Sequence, residues 1–125
     1  MSVQDLFKLE SKTAIVTGGG RGLGAVIAET YANAGVNVII CSRDMETCEQ
    51  MAKKLEQKYK VNTLALACDV TDSNQVQKVV DKSVERFGTI DILVNNSGAS
   101  WAAPTENMPL DAWNKVMNVN VTGTF

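Results

Sequence analysis

Histidine is absent from all 125 residues. That excludes Ser-His-Asp and Cys-His catalysis and most zinc sites, which need imidazole as base or ligand. No metal-ligand set is expected, and acid–base chemistry is left to carboxylates, lysine, tyrosine or a bound cofactor. Cysteine is scarce and odd in number. Cys41, Cys48 and Cys68 lack metal spacing, so reduced thiols are the expected state. Neither charge sign dominates: 12 basic against 14 acidic residues leave a net charge of −2. Nothing in that balance points to nucleic acid or an anionic membrane as partner. No apolar run approaches the roughly 18 residues of a membrane span. Met1 to Glu10 also lacks the basic start and apolar stretch of a leader. The expectation is a cytosolic protein that engages neither membrane nor nucleic acid. A hydrophobic fraction of 45% and a charged fraction of 21% suit one ordinary globular domain over residues 1–125.

What the chain does have is glycine in one place. Thr13 to Thr17 suits a strand, and it runs straight into Gly18, Gly19, Gly20, Gly22 and Gly24. An amphipathic run follows, with Ile27, Ala28, Tyr31 and Ala32 at helical spacing. A glycine turn between strand and helix brings bare N–H groups to a helix N-terminus, which carries roughly half a positive charge and suits a phosphate. Gly18, Gly20, Arg21, Gly22, Leu23 and Gly24 are therefore candidate ligands of a dinucleotide. The spacing G-x-x-x-G-x-G is neither G-x-G-x-x-G nor a P-loop, because no Gly-Lys-Ser/Thr follows. Thr17 to Gly24 resembles, without a gap, the T-G-x-x-x-G-x-G turn of the short-chain dehydrogenase/reductase family.

Periodicity along the rest of the chain predicts strands at 36–41, 63–68 and 90–94, alternating with helices at 23–34, 45–59 and from about 73 to Phe87. A final helix is expected from Leu110 or Asp111. Gly35 should end the first helix. Asp44 suits the N-cap of the second, and Asp72 or Ser73 that of the third. Leu6, Phe7 and Leu9 are expected to tuck under the sheet, and Val76, Val79, Val80 and Val84 to form an inner helical stripe. Alternating strands and helices imply an α/β fold, a doubly wound parallel sheet of Rossmann type in the order 3-2-1-4. The ligand then belongs above the C-terminal ends of strands 1 and 4, where the order reverses.

Ser42-Arg43 ends the second strand about 20 residues after the glycines, where an acidic residue would bind an adenosine 2′-hydroxyl. Ser42 stands where NAD-using members of the family have Asp. Arg43, with Arg21, offers fixed cations for a phosphate, which favours NADP over NAD. Either arginine alone is also compatible with a solvated surface charge. Asp69-Val70 closes the third strand. The resemblance implies an Asp that receives the adenine amino group and a residue against the ring, and the alternative is a plain loop aspartate. Asn95-Asn96-Ser97-Gly98 resembles the family's N-N-A-G, implying Asn96 and Gly98 beside the dinucleotide and Asn95 as a sheet brace. Val119-Asn120-Val121 resembles the segment whose Asn completes the catalytic tetrad through its backbone carbonyl; Asn118 is the second candidate.

The resemblance covers essentially the whole chain. The family's catalytic Ser and Tyr-x-x-x-Lys would lie beyond Phe125, and neither Tyr31 nor Tyr59 precedes a lysine by four. The sequence therefore looks like the N-terminal half of a reductase about twice as long, inactive alone. The loop Gly98 to Pro104 with Trp113 to Asn118 most resembles 3-oxoacyl-carrier-protein reductases and gluconate 5-dehydrogenase-like members. This implies a small carbonyl or alcohol substrate, acyl-carrier-bound ones included, and a homo-oligomer. The other expectation is a non-catalytic dinucleotide-binding module.

Overall fold

A computed structural model describes residues 1–125. Four parallel strands, β1 (Thr13–Thr17), β2 (Asn37–Ser42), β3 (Thr63–Ala67) and β4 (Ile92–Val94), stand in the order β3-β2-β1-β4. Helices α2 (Gly22–Asn33), α3 (Met45–Tyr59) and α4 (Ser73–Phe87) make the crossovers. A four-residue α1 (Val3–Leu6) precedes them and α5 (Leu110–Met117) follows, continued by a π-helical turn at Asn118–Thr122. The doubly wound α/β fold and its strand order are as the periodicity predicts.

The registers place Ile15 beside Ile39 and Leu93, and Val16 beside Ile40 and Val94. Alternate residues therefore feed opposite faces of the sheet. On one face Val16, Val38 and Ile40 pack against Ala28 and Ala32 of α2 and Cys48, Met51 and Leu55 of α3. On the other, Ile15, Ile39, Cys41 and Cys68 meet Val79 of α4. Helix caps set the boundaries. The Asp44 carboxylate accepts the Thr47 N–H at 3.2 Å, and Asp72 accepts those of Asn74 and Gln75 at 3.0 and 3.3 Å. Gly35, at φ +81°, turns the chain out of α2.

Three expectations are corrected. Leu6, Phe7 and Leu9 do not tuck under the sheet; they are 66%, 77% and 36% exposed. A reciprocal cap between Ser2 and Asp5 closes α1 on itself, and the chain is tied down further on, where the Ser11 N–H reaches Gly35 O at 3.0 Å and Lys12 O accepts the Asn37 N–H at 2.8 Å. Of the valine stripe, Val79 is buried while Val76 and Val84 are exposed. The inward row is Val79, Ser83 and Phe87, four apart; Ser83 is fully buried and donates to Val79 O at 2.6 Å. Strand β4 is also shorter than expected. Before Ile92 the Asp91 carboxylate takes the Thr13 N–H at 2.8 Å and so replaces a rung of the ladder.

Candidate functional site

A cleft of about 940 Å³ lies at the C-terminal ends of the strands. Gly18, Gly20, Arg21, Gly22, Ser42, Arg43, Asp69, Val70, Asn96 and Gly98 all line it. Three of the other expected residues do not. Leu23 is 70% exposed on the first turn of α2, Gly24 is buried behind the glycine turn, and Asn120 stands just outside the wall.

The glycine turn is held from behind by Thr17. Its hydroxyl oxygen accepts the N–H groups of Asn96 and Ser97, both at 3.0 Å, and donates to Val94 O at 3.3 Å. The Asn96 Nδ2 donates to the carbonyls of Thr17 and Gly18 at 3.1 and 3.2 Å. Asn96 is thus the brace between β1 and β4, the part expected of Asn95, which is exposed. Gly18 sits at φ +64°, in the left-handed region that side chains resist. A Cβ on Gly24 would lie 2.1 Å from Gly18 O and 2.5 Å from the Asn96 amide. Glycine there lets α2 close onto the turn.

The N-terminal ends of the helices differ in charge. Helices α3 and α4 have aspartate caps, whereas α2 begins at Arg21 with no side-chain cap and no acid in its first turn. Its positive end is left uncompensated beside the cleft wall. Across from it, the Ser42 hydroxyl accepts the Asp44 N–H at 3.2 Å and lies 3.1 Å from Cys48 Sγ. Asp69 Oδ1 accepts the N–H and hydroxyl of Thr71 at 2.9 and 2.7 Å. Those bonds, with the nearby Arg43 charge, hold its carboxyl below the usual range. Burial raises the thiol of Cys68, which lines the cleft, and pushes that of Cys41, in the core beside it, up to about 12, so both are protonated at neutral pH.

Sequence reasoning named Asn118 only as the second tetrad candidate and did not single out Lys115, so one wall of the cleft was not foreseen. Lys115, Asn118 and Val119, from α5 and the π turn, complete the cleft. Residues 115 and 119 are four apart on one helical face, a spacing that could have revealed them. The π turn, closed by Gly123 N–H to Asn118 O at 2.7 Å, shifts the register at that point. Asn120 then pairs with Ala99 in both directions: Oδ1 accepts its N–H and Nδ2 donates to its carbonyl, each at 2.8 Å. Among these residues there is no group of three or more His, Cys, Asp or Glu able to hold a metal ion.

Parallel strands, a strand-order reversal and a glycine turn under an uncapped helix define a dinucleotide-binding architecture. Residues 12–125 match the family model for short chain dehydrogenases, and the chain belongs to that family. It is 39% identical over 119 residues to the rhamnolipids biosynthesis 3-oxoacyl-[acyl-carrier-protein] reductase of Pseudomonas aeruginosa, covering 95% of this chain and 46% of that protein. Among solved structures it resembles the Pseudomonas aeruginosa RhlG/NADP active-site complex, with TM-score 0.87, 39% identity, and coverage of 95% of this chain and 46% of that one. It also resembles an NAD+-bound xylitol dehydrogenase, with TM-score 0.90, 34% identity, and coverage of 94% and 45%. The chain spans about half the length of the curated relatives it matches. No helix is long and apolar enough to cross a membrane.

Proposed function

We propose that this chain is the cofactor-binding part of an NADP-dependent oxidoreductase that exchanges hydride with a carbonyl or alcohol carbon. The observation that carries the reading is a convergence. The uncapped end of α2, the Ser42–Arg43 corner, the Asp69–Val70 loop and the Asn96–Gly98 exit share one cleft at the strand-order reversal. The residues present fit a dinucleotide. The turn at Gly18 to Gly24 offers backbone N–H groups and a helix dipole to a pyrophosphate. Arg21 and Arg43 offer charge-assisted donors to a 2′-phosphate, and Ser42 places no carboxylate against it. Asp69 accepts from the adenine amino group with Val70 against the ring, while Asn96 and Gly98 border the ribose. The dinucleotide, when bound, supplies the hydride. Asn120 anchors the backbone at Ala99 and, by family resemblance, is the tetrad asparagine.

The substrate is a small carbonyl or alcohol, with acyl-carrier-linked ones included because a relative bears that name. The working form is a cytosolic homo-oligomer. A second reading, a non-catalytic dinucleotide-binding module, draws on the tyrosines. Neither Tyr31 nor Tyr59 lines the cleft, and the Tyr59 hydroxyl donates to Glu29 at 2.8 Å. The 125-residue chain alone is therefore expected to bind without turnover. Calorimetric titration should find NADP tighter than NAD by about tenfold or more, with Arg43→Asp reversing the preference. Equal affinities would remove the NADP assignment, and no binding of either would remove the cofactor seat. NADPH oxidation by the purified chain with a carbonyl substrate would overturn the expected inactivity.

A further inference from the structure

We infer that Gly123 is a positioning residue for the adenine side of the cleft, because its lack of a side chain lets the turn after α5 close against Val70. The inference deepens the cofactor seat proposed above and rests on it. Gly123 follows the π turn with φ −65° and ψ −35°, ordinary right-handed helical geometry. Any residue adopts those angles, and glycine is the poorest choice for them apart from proline. What the position demands is space. A Cβ on Gly123 would lie 2.8 Å from Val70 Cγ2, 3.3 Å from Val70 O and 2.7 Å from Val119 O, so something would have to shift. Val70 and Val119 both line the cleft, and Gly123 itself does not.

Val70 depends on this contact more than its neighbours do. The Cys68 N–H donates to Ser42 O at 2.8 Å, and the Asp69 N–H to Gln75 Oε1 at 2.8 Å. The Thr71 N–H is held by Asp69 Oδ1 at 2.9 Å, and the Asp72 N–H by Asp69 O at 3.0 Å. Neither the N–H nor the carbonyl of Val70 bonds to another backbone group, so packing sets its place. The turn it packs against is itself fixed. Gly123 N–H donates to Asn118 O at 2.7 Å, and Asn120 is paired with Ala99 in both directions. A methyl group at position 123 would therefore displace the residue with the weaker hold, Val70, and with it the adjoining Asp69. Those are the two residues assigned to the adenine ring and its amino group.

The readout is discrimination between bases. Asp69, accepting from the adenine 6-amino group, should favour NADP+ over its hypoxanthine analogue, which carries a ring carbonyl there. Calorimetric titration of Gly123→Ala with both ligands is expected to show this affinity ratio lowered about three- to tenfold, the worth of roughly one hydrogen bond. Leu55→Ala weakens the core away from the cleft and should leave the ratio alone, because a loss of folded protein scales both affinities equally. The double variant G123A/V70A removes the Val70 methyl that the added one meets, and should recover most of the ratio. A wild-type ratio in G123A, an equal fall in L55A, or no recovery in the double variant overturns the inference while the cofactor seat stands. Where G123A alone does not fold, recovery of the fold in G123A/V70A supports the contact, and no recovery overturns it. Wild type that binds the two ligands alike overturns the inference together with the adenine assignment, and wild type that binds neither overturns the whole seat.

Discussion

The two faces of the sheet are built to different standards. Beneath α2 and α3 the core is complete: Val16, Val38, Ile40, Ala28, Cys48 and Leu55 are fully buried. Beneath α4 the cluster has five members, two of them cysteines, and its partly buried neighbours include Leu64, Leu66 and Phe87. Around it, Val76, Val84, Trp113 and Leu93 are exposed, the last by 58%. The difference follows from composition. Helices α2 and α3 present small residues and a clean apolar stripe, so they lie close to the strands. Helix α4 presents Val79, Ser83 and Phe87, and a buried serine that must bond its own backbone leaves less apolar surface to the core. The cleft lies at the strand ends above both faces, with its glycine turn leading into the better-packed one.

Paired truncations break this contrast most directly. Leu55→Ala, in the complete core, is expected to cost about 2–5 kcal/mol. Leu93→Ala, on the open side, should stay within about 0.5 kcal/mol. Urea unfolding of the two variants measures both, and similar losses would mean that the faces are equivalent. Thr17 tests the seam between them. Thr17→Val keeps the shape but leaves the Asn96 and Ser97 N–H groups without their acceptor. A loss of about 1–3 kcal/mol is expected, with Thr17→Ser restoring most of it. If serine fails to rescue, the methyl group rather than the hydroxyl holds the seam.

The smallest effect concerns pH. Glu29 joins α2 to α3 through Lys58 at 2.7 Å and the Tyr59 hydroxyl at 2.8 Å. These partners, Lys58 first, lower its carboxyl from 4.5 to about 2. Because the folded value is depressed, the stabilisation is complete above pH 4.5 and is lost as pH falls towards 2. The Lys58 ammonium is raised by the same contact, so its share is present below 10.5 and fades only above it. Glu29→Gln should flatten the acid limb between pH 4.5 and 2 in thermal melts, with little change near pH 7. An unaltered acid limb would assign the staple no role.

Much of this molecule is legible one stretch at a time. Met45–Tyr59 as a helix, the caps at Asp44 and Asp72, the stop at Gly35 and the strand order follow from periodicity, capping chemistry and the right-handed crossover rule. So does the cleft's position, because a glycine turn between strand and helix states its own geometry within eight residues. These determinants act over a few residues, and the sequence alone decides them.

Tertiary structure decided the rest. Asn95 and Asn96 are identical side chains in adjacent positions. Only the approach of Thr17 and Gly18, nearly eighty residues earlier in the chain, makes Asn96 the brace. Val76 and Val79 are likewise identical side chains, and only Val79 meets Ile15, Ile39 and the cysteines of the sheet. Lys115 lines the cleft because α5, whose following turn is pinned by the Asn120–Ala99 pair, lies beside the strand ends. In each case the outcome depends on which atoms of a distant element arrive opposite a residue. Burial and hydrogen-bond partnership are settled by that meeting, and local sequence does not encode it.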